Sequence, residues 1–111
     1  MALTILPAAL QGGVTLGTVT APIYTVPAGK SATIKRAVFL NTSTTATLLT
    51  VTVTRGTNAT LTIIQGRSIG AYAADLAPEL SALVLNYGDV LAAFASVGSV
   101  VNCFVSGLTV A

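Results

Sequence analysis

The segment TLLTVTVTR, residues 47–55, alternates apolar and threonine side chains. Leu49, Val51 and Val53 fall on one side of an extended chain, and the intervening threonines fall on the other, because successive side chains of a β-strand point to opposite faces. Threonine and valine are also residues that favour pleated strands. This segment therefore predicts a strand that has one face in a core and a ladder of threonines on its other face.

Short segments of the same kind recur along the chain, and each is followed by a turn signal. Residues Pro27 to Lys30 suit a tight turn, since proline presets φ and Gly29 can supply a positive φ. Turns recur about every ten residues without helical crossovers between them, which favours antiparallel pairing. Strands are predicted at residues 14–20, 23–26, 31–41, 47–55, 60–65, 83–85, 90–96 and 100–110. The predicted fold class is all-β: an antiparallel β-sandwich, jelly-roll-like, with about eight short strands.

Two segments do not follow the strand pattern. Residues 66–80 combine Gly, Ala and Pro with two acidic residues and are predicted as a long crossover loop with room for one helical turn. The leader ends in Gly12 and Gly13, an adjacent pair that predicts a flexible joint. The expected organisation is a flexible N-terminal arm over residues 1–13 and a single β-sandwich domain over residues 14–111.

Alternation elsewhere gives more specific expectations. Leu61 and Ile63 repeat the core-facing pattern, and so do the apolar positions of residues 101–105, where Phe104 has the outward parity. The strand at 90–96 is apolar on both faces. Lys35 and Arg36 are adjacent on a predicted strand, so one of them should point inward unless that face meets a neighbour or an edge.

The composition limits the partners. Only 7% of the residues are charged, 53% are hydrophobic, and the mean hydropathy is +0.86. The five basic residues are scattered and form no stripe for a phosphate backbone, which argues against nucleic acid. The sequence contains no run of about 18 apolar residues, so no membrane-spanning helix is predicted. A chain with so little charged surface is expected to be covered by other protein subunits.

Catalytic chemistry is poorly supplied. The chain has no histidine and one cysteine, so it lacks the residues of the usual zinc sites and of histidine-based catalysis. Asp75 and Glu79 are interpreted as solvated loop residues, Asp89 as a turn residue that accepts backbone N–H bonds, and Cys103 as a small buried hydrophobe. The chain is predicted not to be an enzyme and to use no cofactor and no metal.

Two blocks of sequence resemble a known family. The first is the run from Tyr24 to Lys30, followed by Ala32, Thr33, Ile34 and then by Asn41, Thr42, Ser43. The second comprises Tyr87, Gly88, Asp89, Val90, Leu91, Ala93 and Ala95, leading to Val101, Asn102, Val105, Ser106 and Gly107. Over roughly residues 18–110 the chain is similar to small tailed-bacteriophage virion proteins of the β-sandwich capsid decoration, or cement, type.

The resemblance implies a structural role. Such a protein would be made in the bacterial host cytoplasm, bind the major capsid protein on the capsid exterior, and stabilise the head as a homo-oligomer, typically a trimer. A tail or fibre component, or a carbohydrate-binding or adhesive module, stays open as an alternative.

Interface residues are predicted at two places. Leu3, Ile5 and Leu6 in the arm are the candidates for contact with the capsid. Val90, Ala92 and Phe94, on the strand that is apolar on both faces, are the candidates for contact within the ring of subunits.

Overall fold

Antiparallel strands make up most of the chain. A computed structural model describes the backbone of residues 5–55 and 60–110, and the side chains from residue 10 onward within those ranges. The strands are β1 (Ile5–Thr15), β2 (Ala21–Thr25), β3 (Ser31–Asn41), β4 (Thr47–Thr54), β5 (Thr60–Ile69), β6 (Ala74–Asp75), β7 (Val84–Leu85), β8 (Val90–Ala95) and β9 (Val101–Val110). A short 3₁₀ helix, Pro78–Leu80, lies between β6 and β7.

The strands form two sheets packed face to face. In the first sheet β1, β9 and β3 are neighbours, and β6 and β7 both pair with the other edge of β3. In the second sheet the order is β2, β8, β4, β5. Since β6 and β7 together take the place of one interrupted strand, this is the arrangement of an eight-stranded jelly roll. The all-β antiparallel sandwich predicted from the sequence is confirmed.

The core lies between the sheets and follows the alternation of the sequence. Leu49, Val51 and Val53 of β4 are at most 2% exposed. Phe39 of β3 is fully buried in the same cluster, and so are the alternate residues Val101, Cys103 and Val105 of β9. The turns also form as expected: the Lys30 N–H donates to the Pro27 carbonyl, and Gly29 has a φ of 75°.

β1 differs from the expected arm. Most of the segment predicted as an arm over residues 1–13 belongs to this strand, which pairs with β9 from Ile5 opposite Val110 to Thr15 opposite Asn102. The strand expected at residues 14–20 therefore begins earlier and ends at Thr15. Gly12 and Gly13 do not form a joint between two bodies. They lie in a bulge between Gln11 and Val14, where β1 has one residue more than β9.

A second bulge explains how Lys35 and Arg36 both avoid the core. Ile34 pairs with Gly107 and Arg36 pairs with Ser106, so that Lys35 is the extra residue of β3. A bulge interrupts the strict alternation of side chains, and both cations are exposed. Neither side chain therefore points inward, because the strict alternation that would place one of them in the core does not hold at the bulge.

The same effect changes β5. Leu61, expected in the core, is 56% exposed, whereas Ile64 is 2% exposed. The register with β4 shifts between Thr62 and Ile64, which moves the core-facing parity from Ile63 to Ile64. β5 also continues to Ile69, so only part of residues 66–80 is loop, and the helical turn expected there is the 3₁₀ helix.

Candidate protein-interaction surfaces

The outer face of β8 carries one of the two predicted interface groups. β8 lies between β2 and β4, with Leu91, Ala93 and Ala95 in the core. The predicted residues Val90, Ala92 and Phe94 have the opposite parity and share the outward face of the sheet. Val90 and Phe94 are half-buried, and Ala92 is 7% exposed.

The threonine ladder of β4 lies beside these residues. Thr54, Thr52 and Thr50 pair across the sheet with Val90, Ala92 and Phe94, in that order. The Thr54 hydroxyl lies 2.8 Å from that of Thr60, and Thr50 accepts the N–H of Gly66. Thr52 is 8% exposed, and its buried Oγ1 has no hydrogen-bond partner among the described residues. The outward positions of β8 and β4 thus form a continuous surface without charge.

The other predicted group, in the leader, lies in the other sheet. Leu3 falls outside the described residues. Ile5 and Leu6 pair through their backbones with Val110 and Thr109 of β9, and their side chains are outside the description. Because β1 and β8 belong to different sheets, the fold does not place these two strands side by side.

A third surface was not singled out by the sequence. On the outer face of the first sheet, a hollow of about 290 Å³ opens between β1, β9 and β3. We call it the Phe104 hollow; its lining residues are Gln11, Gly12, Arg36, Val38, Phe104, Val105 and Ser106. Phe104 is 46% exposed and pairs across the sheet with Val38. An aromatic residue at an outward strand position was the available signal.

The walls of the Phe104 hollow are held in place. An atom added as Cβ at Gly13 would lie 3.0 Å from Cε1 of Phe104, so the ring lies directly over the glycine backbone. The Gln11 amide donates to the Ile23 carbonyl at 3.0 Å, and its oxygen accepts the N–H of Gly13 at 3.2 Å. Gln11 therefore links β1 to β2 of the other sheet while lining the hollow.

All three acidic residues of the chain are engaged by arginines away from the Phe104 hollow. Asp75 and Glu79 both contact Arg67, which joins the end of β5 to β6 and to the 3₁₀ helix. Asp89 is 4% exposed; it pairs with Arg55 and accepts the Asn86 N–H at 2.8 Å, which closes the turn before β8. These carboxylates stabilise loops and turns.

Two further observations concern reactive side chains. Burial raises the pKa of the Cys103 thiol to about 12, so this cysteine is a protonated part of the core at neutral pH. Among the described residues, no group of three His, Cys, Asp or Glu side chains is placed to hold a metal ion. No helix in the described ranges is long and apolar enough to cross a membrane.

Together the strand order and these surfaces define a jelly-roll sandwich in which the outer surface of β8 and β4 is uncharged and the outer face of the first sheet exposes Phe104 beside Arg36. No family model matches the chain, and no curated protein matches it. Among solved structures it is similar to a chain of the T13 IBDV viral particle, at a TM-score of 0.55 and 12% identity over 98% of this chain. It is also similar to a chain of infectious bursal disease virus, Gx strain, at 0.52 and 14% over 99%.

These similarities concern the fold. At 12% and 14% identity they show a shared β-sandwich and no more. The chain spans about a third of the length of the viral chains, covering 30% of the first and 33% of the second.

Proposed function

We propose that this protein is a structural virion protein that binds the outer surface of a bacteriophage head as an oligomer and stabilises the head. The observation that carries the proposal is the jelly-roll strand order of the chain, together with the similarity in fold of nearly its whole length to chains of infectious bursal disease virus. Jelly rolls recur in viral capsid domains. The sequence resemblance to phage decoration proteins adds the phage setting and the exterior position.

The surfaces support a role in assembly. Only 7% of the residues are charged, so there is little charge repulsion to oppose association with other subunits. The uncharged surface of β8 and β4 fits contact within a homo-oligomer, proposed as a trimer. The leader, with Leu3, Ile5 and Leu6, is proposed to contact the major capsid protein. Nucleic acid and membrane are not proposed as partners.

The proposed mechanism is mass action. A subunit that binds only the assembled shell lowers the free energy of that state, by an amount that grows with the logarithm of its concentration relative to Kd. No catalytic step is required, and the three carboxylates are already engaged with arginines. The protein is proposed not to be an enzyme.

Two alternatives remain. The same sandwich would serve in a tail or fibre. Jelly rolls also occur as lectin domains, and the exposed Phe104 ring at the hollow is the observation that favours a carbohydrate-binding or adhesive module.

A comparison of virus particles made with and without this gene tests the proposal. Cryo-electron microscopy of particles made with and without the gene should show density lost from the outside of the head. Heating should release the genome at a lower temperature from the deleted particles. Density lost from the tail would support the first alternative, and particles that lack the protein altogether would contradict a virion role.

The oligomer is tested by light scattering of the purified protein. Ala92→Arg should reduce the mass to that of a monomer, because it places a cation on the proposed contact face. Val19→Arg is the matched control, since Val19 is 76% exposed in the segment between β1 and β2. A wild-type monomer, or an oligomer that tolerates Ala92→Arg, would contradict the proposed contact.

A further inference from the structure

We propose that the Phe104 hollow binds an acidic, extended segment of a partner protein. An apolar side chain of that segment sits against Phe104, and a neighbouring carboxylate pairs with Arg36. This goes beyond the decoration role, which assigns no function to this face, and does not depend on it.

The hollow is formed before any partner arrives. Phe104 packs on the backbone of Gly13, and Gln11 is held at both ends of its amide. Binding therefore requires little ordering of the walls, and a preorganised surface loses less affinity to conformational entropy. Exposed aromatic and arginine side chains at the centre of a surface patch are also the residue types that contribute most to protein interfaces.

The size of the hollow favours a peptide side chain. Its volume of about 290 Å³ lies at the lower limit for small-molecule pockets, which suits one large apolar side chain rather than several sugar rings. Val38 and Phe104 supply apolar walls, and Val105 lies beneath them, 1% exposed.

The charge of this face selects the partner. Arg36 lines the hollow, and its neighbour Lys35, the extra residue of the bulge in β3, is exposed. Neither forms an ion pair with a described carboxylate, because all three acids of the chain contact Arg55 or Arg67. The described side chains therefore give this region a positive charge, which attracts acidic segments and disfavours basic ones.

Two cations are too few to bind a nucleic acid. A phosphate backbone is bound by a row of cations along its length, and this face offers only a pair. Arginine, in contrast, binds a single carboxylate through two parallel hydrogen bonds, which gives the contact a defined orientation.

Selection from a phage-displayed library of short random peptides, with the full-length protein as bait, tests the proposal. We expect peptides with Asp or Glu close to Phe, Leu or Ile. The affinity of the selected peptide, measured by fluorescence anisotropy, should fall at least about tenfold for Arg36→Glu and for Phe104→Ala. A peptide with its acidic residue changed to Lys should regain affinity for Arg36→Glu.

Lys30→Glu is the matched control. It changes the net charge by the same amount as Arg36→Glu, but Lys30 lies exposed in the turn between β2 and β3 and does not line the hollow. The selected peptide should bind Lys30→Glu with the same affinity as the wild type. Thermal melts will establish that each variant is folded, and Phe104, being half-exposed, is replaceable without loss of the core.

Several results would overturn the proposal. They are the absence of any selected peptide, selected peptides without acidic residues, and peptide affinities that Arg36→Glu leaves unchanged. Glycan-array binding that is lost in Phe104→Ala would assign the hollow to a sugar instead.

Discussion

Replacing Gly107 with alanine is the sharpest test of the packing between β9 and β3. Gly107 is buried and pairs with Ile34 beside the bulge at Lys35. An added Cβ would lie 2.1 Å from the Thr33 carbonyl oxygen and 3.1 Å from Cα of Ile34. Both obstacles are backbone atoms, so relief requires the two strands to move apart rather than a side chain to rotate.

The size of the effect follows from that geometry. Inserting a methyl group into a packed interior costs about 1–3 kcal/mol, and occasionally more. Because the clash is with backbone in a central pair of strands, we expect a loss of about 3 kcal/mol in the free energy of unfolding. With an m-value of about 1.5 kcal/mol/M in urea, the midpoint should fall by about 2 M.

Urea unfolding followed by far-ultraviolet circular dichroism measures this loss. Gly17→Ala is the matched control, since an added Cβ there meets no atom within 4 Å. It should be neutral or stabilise by up to about 1 kcal/mol through the unfolded chain. If the free energy of unfolding of Gly107→Ala lies within about 0.5 kcal/mol of the wild-type value, the close approach of β3 to Gly107 is refuted.

Three further substitutions test individual interactions. Thr52→Val should stabilise the fold by about 1 kcal/mol, since it removes a buried hydroxyl without a partner, whereas Thr54→Val should not; urea midpoints that rank the two in reverse would contradict this. The pKa of the Cys103 thiol is about 12 in the folded protein and near 9 in the unfolded chain. The free energy of unfolding should therefore not depend on this thiol below pH 9. Between the two pKa values it should fall as the pH rises, by up to about 1.4 kcal/mol per pH unit, because the unfolded chain loses the proton first. The difference in stability between the wild type and Cys103→Ala should show this slope, and a constant difference would exclude it. Asp89→Ala should cost about 2 kcal/mol in thermal melts, because Arg55 and the Asn86 N–H lose their acceptor; an unchanged melting temperature would show that the turn does not depend on this carboxylate.

The uncharged outer surface of β8 and β4 and the cationic Phe104 hollow lie on opposite sheets of the sandwich. We propose a different contact for each of these faces. One suits a neutral neighbour such as a second copy, and the other suits an acidic segment.

Much of the fold follows from local patterns in the sequence. The alternation in residues 47–55 predicted β4 and its buried face, and the Pro27–Lys30 turn predicted where β3 begins. Val90, Ala92 and Phe94 were placed on a common face by parity alone. These features depend on residues within a few positions of one another, so the sequence contains what is needed to predict them.

The bulges and the pairing of strands were decided by tertiary structure. That Lys35 is the extra residue of β3 depends on its register with β9, about 70 residues away along the chain, and the parity change in β5 depends on its register with β4. The leader was predicted as an arm because its Gly12–Gly13 pair suits a joint equally well as a bulge; only the presence of β9 beside it makes it a strand. The Phe104 hollow arises in the same way. Its walls come from three strands that are distant in sequence, and no local pattern brings Gln11, Arg36 and Phe104 together.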